Sequence, residues 1–105
     1  MHALIVTFRL EGMTEAQYYR ECDEVAPAFA EIPGLIAKTW LADRATNTYG
    51  GVYTFRDEAS PRAYLASDLF RSIGETPGLA GVSGRTFAVL EGPTRVTHGW
   101  AVQAA

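Results

Sequence analysis

Three strand-like segments carry the side chains best suited to hold or activate a small molecule. Lys38 and Trp40 alternate along residues 35–41, Tyr49, Tyr53 and Phe55 lie along residues 49–55, and Arg85 precedes Phe87 within residues 83–90. Lys38, Trp40, Tyr53 and Phe55 are the candidates for ligand contact: the rings can wall an apolar pocket, and Lys38 shares a strand face with Trp40. Tyr49 and Arg85 are the candidates for catalysis, because a phenol and a guanidinium both donate hydrogen bonds to developing negative charge. Each has a plainer use as well. Aromatic residues dominate ordinary cores, Tyr49 suits a turn, and a strand lysine is usually solvated.

Other chemistries find fewer parts. The histidines, His2 and His98, stand at opposite ends of the chain, and no HxxxH or CxxC spacing exists, so no metal site is expected. Cys22 falls on an apolar helix stripe, where a thiol is usually inert. Gly78, Gly81 and Gly84 lack the lysine of a phosphate loop and run into a strand, not a helix. Asp23 and Glu24 are helix neighbours that point apart, which does not make a glycosidase-type carboxylate pair.

The 105 residues fit one domain, with 48% apolar and 20% charged residues, a globular balance. A net charge of −3 argues against nucleic acid or an anionic membrane as partner. A single cysteine excludes an internal disulfide and permits a reducing compartment. The chain opens on a strand pattern without a basic-then-apolar leader, and no run approaches the ~20 apolar residues of a membrane span. A soluble cytoplasmic protein without membrane contact is the expectation.

The elements are punctuated by a pentapeptide used twice. Glu31-Ile32-Pro33-Gly34-Leu35 and Glu75-Thr76-Pro77-Gly78-Leu79 lie 44 positions apart, each after a helix-like and before a strand-like segment. Pro and Gly together stop a helix, which suggests one βαβ unit built twice. Residues 3–10 read as the first strand. Thr14-Glu15-Ala16-Gln17 is a capping-box pattern opening a helix whose inward stripe is Tyr19, Cys22, Ala26 and Phe29, with Pro27 expected to kink or split it. Strands follow over about 35–41 and up to Phe55. A second helix, capped by Asp57 or Ser60, turns Ala59, Ala63, Ala66, Phe70 and Ile73 inward. A fourth strand spans 83–90. The domain is placed at 1–92, with 93–105 as a tail or a dimer arm.

This order, βαββαβ, is the ferredoxin-like α+β arrangement: a four-stranded antiparallel sheet with two helices on one face. Its strands do not alternate cleanly between apolar and polar residues. Leu4, Val6 and Phe8 oppose Ala3 and Ile5, and Val52 opposes Tyr53 and Phe55. Helices cover one face only, so the other needs a partner, and a second copy of the sheet is the simplest one. A homodimer is inferred.

Pro33-Gly34-Leu35 followed by Lys38 and Trp40, then Gly50-Gly51-Val52-Tyr53-Thr54-Phe55, then Asp57, Ala63, Tyr64 and Leu65, resembles the YdhR-like mono-oxygenases of the dimeric α+β barrel superfamily. The resemblance covers roughly residues 1–92. It implies a dimer whose sheets pack face to face, a ligand cavity, and an oxygenase role without cofactor. Such chemistry has clear requirements. Dioxygen is a triplet, so an acidic phenol or enol must be ionised and shielded from bulk water before it reacts. The expected function is therefore a cofactor-independent mono-oxygenase acting on a small electron-rich aromatic or polyketide-like compound. The alternative is a non-catalytic dimer that binds a small hydrophobic ligand, distinguished by whether a titratable group with a shifted pKa faces the cavity.

Overall fold

The computed structural model describes residues 1–99. Strand β1 (His2–Leu10) leads to helix α1 (Glu15–Ala30), strands β2 (Leu35–Asp43) and β3 (Thr48–Phe55), helices α2 (Ala59–Leu65) and α3 (Asp68–Glu75), strand β4 (Leu79–Ala88) and helix α4 (Glu91–Val96). The sheet is antiparallel in the order β2-β3-β1-β4, the ferredoxin-like arrangement. No helix of the described residues is long and apolar enough to cross a membrane.

Local chemistry sets the boundaries. Thr14 and Gln17 form the reciprocal capping box: Gln17 N donates to Thr14 Oγ1 (3.1 Å), and Thr14 N donates to Gln17 Oε1 (2.8 Å). Pro27 does not split α1, which continues to Ala30; the proline is exposed one turn from the end. The segment expected as one second helix is two. Ser67 interrupts it, because its hydroxyl accepts the Phe70 amide (3.2 Å) and starts α3 afresh. Neither Asp57 nor Ser60 occupies the cap position of α2, which is Glu58 and makes no side-chain cap bond. Asp57, one residue earlier, braces the first turn through Oδ1, which accepts from Ser60 N (2.8 Å) and Ser60 Oγ (2.6 Å).

Both Pro-Gly pairs make the same turn. Leu35 N donates to Ile32 O (3.1 Å) and Leu79 N to Thr76 O (3.2 Å), with Gly34 and Gly78 at φ 81° and 97°. Proline second and a positive-φ glycine third is the type II pattern. The two turns also grip equivalent points: Arg56 N donates to Gly34 O (2.9 Å), and Glu11 N donates to Gly78 O (2.9 Å). A side chain at Gly34 would collide with Ser60 at the start of α2, and one at Gly78 with Met13 just before α1. Because the second turn delivers the chain directly into the sheet, β4 begins at Leu79, earlier than the sequence suggested.

One sheet face carries Leu4, Val6, Phe8, Tyr49, Tyr53 and Phe55, all buried beneath the helices. The helix phases differ from expectation. Tyr18, not Tyr19, joins Phe29 in the core, and Tyr19 is 44% exposed. In α2, Pro61 and Tyr64 are buried while Ala59, Ala63 and Ala66 are exposed. A large ring gains far more from burial than a methyl group, so Tyr64 sets the rotation of its helix. The opposite face bears Ala3, Ile5, Thr7, Leu41, Val52, Arg85 and Phe87. Ile5, Leu41 and Phe87 are 36–40% exposed. Helix α4 (Glu91–Val96) straddles the expected boundary at residue 92 and takes in residues 93–96 of the expected tail. It is held to the amino terminus by Met1 N and Glu91 Oε2 (2.9 Å), and residues 100–105 lie outside the described part.

Tyr53 and Tyr64 share a buried hydroxyl pair at 2.8 Å. Replacing Tyr64 by Phe leaves the Tyr53 hydroxyl buried without this partner. We expect a loss of about 1–3 kcal/mol in urea unfolding, with the Tyr53→Phe/Tyr64→Phe double variant costing clearly less than the two single losses combined. Strict additivity would show that the pair is not coupled.

Candidate active site

Helices α1 and α3 do not close completely on the sheet, and a cavity of about 120 Å³ remains between them. Phe8, Tyr18, Phe29, Trp40, Tyr53 and Ile73 supply most of its apolar wall. Lys38 projects into this wall from β2. Its register partner is Tyr53, and Trp40 pairs with Gly51, so all three side-chain positions share the helix-covered face. Gly51 is what admits the lysine, since a Cβ there would stand 2.7 Å from Lys38 Cε.

The lysine nitrogen lies 3.3 Å from the Trp40 ring centroid, 3.6 Å from that of Phe29 and 4.7 Å from that of Tyr53. Among the described residues it has no hydrogen-bond or ion-pair partner. Three ring faces favour the ammonium form, whereas burial favours the neutral amine. Burial is the larger effect and brings the pKa down to about 7, against a weaker opposing pull from Cys22. Cys22 and Tyr18, on the neighbouring turn of α1, are both pushed up, chiefly by burial, and so remain protonated near neutrality. Lys38 is therefore the side chain here that can exchange a proton at physiological pH.

The structure brings together Lys38, Trp40 and Tyr53 but not the other candidates. Phe55 is fully buried beyond the cavity, its ring parallel to that of Tyr53 with centroids 6.1 Å apart. Tyr49 does not line the cavity. Its hydroxyl donates to Glu15 Oε2 (2.7 Å), and Glu15 is clasped by Arg44 Nη2 (2.6 Å) and Nε (3.1 Å). These bonds, led by Arg44, hold the Glu15 carboxyl near pKa 2, while Glu15 raises the Tyr49 phenol to about 12. Tyr49 thus belongs to a polar clasp fastening the start of α1. Arg85 lies across the sheet from the cavity, opposite Ile5, with its guanidinium 5.1 Å from the Phe87 centroid. Tyr49 and Arg85 therefore do not converge on one ligand atom.

Tyr18 and Phe29 contribute to the wall but were not among the sequence-level site residues. Phe29 was legible as a core position; Tyr18 was missed because the helix stripe was phased one residue late. The described residues hold no group of three or more His, Cys, Asp or Glu side chains placed for a metal, and neither His2 nor His98 lines the cavity.

The family model described as "Putative mono-oxygenase ydhR" matches residues 3–100. The chain belongs to this family. No curated protein matches it. Among solved structures, SnoaB, a cofactor-independent oxygenase from Streptomyces nogalater, superposes with a TM-score of 0.65 at 21% identity, covering 86% of this chain and 93% of the other. A monooxygenase from the gene ActVA-Orf6 of Streptomyces coelicolor, solved with nanaomycin D, gives 0.62 at 21% identity, covering 85% and 90%. The haem degrader MhuD from Mycobacterium tuberculosis, solved with two haems in its active site, gives 0.68 at 15% identity, covering 86% and 96%. At these identities the likeness is one of fold.

The lowered lysine pKa makes stability depend on pH. Between about pH 7 and the ordinary lysine value of 10.5, the folded chain binds fewer protons at Lys38 than the unfolded chain does. Folding is therefore favoured progressively as pH rises through that window, and the penalty for burying the cation is complete below it. Lys38→Met should unfold at higher urea than the parent at pH 6, and that advantage should shrink by pH 9. An equal difference at both pH values would exclude the assignment.

Proposed function

We propose that the chain is a cofactor-independent mono-oxygenase acting on a small, electron-rich aromatic compound, with Lys38 as the proton acceptor. The observation that carries this reading is an amine without a polar partner, facing an aromatic cavity, in a chain of a mono-oxygenase family. The cavity of about 120 Å³ is somewhat smaller than the ~150 Å³ that holds benzene in a dry engineered cavity, so it limits the ligand to a single ring. A hydroquinone or related phenol fits this space; a fused polyketide-like ring system requires the Trp40 wall to move.

Neutral Lys38 takes the phenolic proton and becomes an ammonium ion held against the faces of Trp40, Phe29 and Tyr53. The resulting phenolate sits beside that cation in a site with little water, rich enough in electrons to react with dioxygen. For a hydroquinone the balance closes without an external reductant: hydroquinone plus dioxygen gives hydroxyquinone plus water. Trp40 and Tyr53 orient the ring in this scheme. Phe55 supports Tyr53 from behind, and Tyr49 and Arg85 act outside the cavity.

The face carrying Ile5, Leu41, Val52 and Phe87 packs in our reading against the same face of a second copy, which buries apolar side chains otherwise wet. Val52→Asp places a charge in that layer. We expect it to abolish the dimer in sedimentation and lower solubility; a parent chain that sediments as a well-folded monomer would remove the need for a partner.

Activity is tested by oxygen uptake with metal-free protein and a panel of substituted hydroquinones. The rate over the uncatalysed control should rise with pH through about 7, as Lys38 loses its proton, and fall at least about tenfold in Lys38→Met. Tight binding of those compounds with no uptake above the control would indicate a ligand-binding dimer instead.

A further inference from the structure

The chain contains nine Lys and Arg residues together, and Lys38 is the only lysine among them. Every other basic side chain is a guanidinium, which stays charged and does not act as a nucleophile. The one ammonium-type side chain is thus the one enclosed by rings at the cavity wall. A lysine in an apolar pocket without a carboxylate partner is the arrangement that activates an amine toward carbonyl carbon.

We propose that Lys38 is a covalent-capture site, whose Nζ condenses reversibly with a small aromatic aldehyde or ketone bound in the cavity to form an imine. The amine lone pair attacks the carbonyl carbon; a C–N bond forms as the carbon–oxygen π bond opens, giving a carbinolamine. That oxygen then leaves as water with both former amine hydrogens, and a C=N bond remains. One water is released per imine, and no electrons are gained or lost overall.

The surroundings supply what these steps need. The rings of Trp40, Phe29 and Tyr53 surround the nitrogen, which has no hydrogen-bond or ion-pair partner among the described residues. Ser72 and Thr76 also line the cavity. Their hydroxyls donate to the carbonyls of Leu69 and Ser72 (2.6 Å each), which leaves oxygen lone pairs free to accept from a carbinolamine hydroxyl. Glu21 also lines the cavity, from α1. Tyr18, Cys22 and Tyr53 complete the titratable groups around it, and burial keeps all three protonated. This capture needs only the amine and the cavity, so it stands whether or not the chain activates dioxygen.

The test uses the full chain at pH 7 with benzaldehyde and sodium cyanoborohydride, which reduces the imine to a stable benzylamine. Lys38 and the amino terminus are the only primary amines, so intact mass and peptide mapping distinguish two positions. We expect one benzyl group on Lys38, added at least about tenfold faster than in the same chain unfolded in guanidinium chloride, because burial leaves more of the amine neutral. Label confined to the amino terminus, or Lys38 labelled no faster when folded, would overturn the proposal. Lys38→Arg keeps the charge but cannot form the imine. Folded by circular dichroism, it should show no internal label, and a persistent internal label would equally refute the assignment.

Discussion

The structure depends on a cluster of aromatic rings that join three helices to one face of the sheet. Tyr64 of α2 sits 5.0 Å from Tyr53 of β3, 6.4 Å from Phe29 of α1 and 5.4 Å from Phe70 of α3, centroid to centroid. Edge-on and tilted contacts of this kind add to the area that each ring buries, and they fix relative orientation as well as distance. With the helices pinned at this end, the space between α1, α3 and the sheet beyond it stays open. The cavity is thus a consequence of where the rings are packed and where they run out.

Electrostatics divides the molecule in a related way. The ion pairs found among the described residues lie at the surface: Glu15 with Arg44, Glu58 with Arg62, Asp68 with Arg71, Arg9 with Glu11, and the amino terminus with Glu91. Exposed pairs contribute little to stability, roughly 0–1 kcal/mol each, but the Glu15 clasp also engages Tyr49 and so ties the start of α1 to β3. Lys38 is the exception, a cation site turned inward with rings in place of a carboxylate. Replacing it by a hydrophobic residue should cost the fold little.

Much of the architecture was legible because its signals are local. The capping box at Thr14, the two Pro-Gly turns and the first three strands each depend on a few adjacent residues and lie close to where the sequence placed them, whereas β4 starts four residues early, at Leu79. Rotation and parity were harder. Tyr18 and Tyr19 are the same residue type one position apart, so composition alone could not choose which of them faces inward. The parity of β4 was hidden for a related reason: both sheet faces carry apolar residues, so alternation did not show that Gly84 points to the helices and Arg85 away from them. Lys38, Trp40 and Tyr53 were legible as a group because strand periodicity and the Gly50-Gly51 pair put them on neighbouring strands. What could not be read was the depth of Lys38, which depends on Phe29 arriving from α1 and on the gap that Gly51 leaves.

The two type II turns have a consequence for how the chain assembles. The turn ending the first βαβ half is braced against Ser60 and Arg56, at the start of the second half; the turn ending the second is braced against Met13 and Glu11 in the first. Each half therefore supplies the backstop for the other, like two clasped hands. Neither can complete its own helix-to-strand corner in isolation, so a stable half-molecule is not an available resting point. The chain should collapse and order as one cooperative unit, despite a repeat that looks, on the page, like two independent modules.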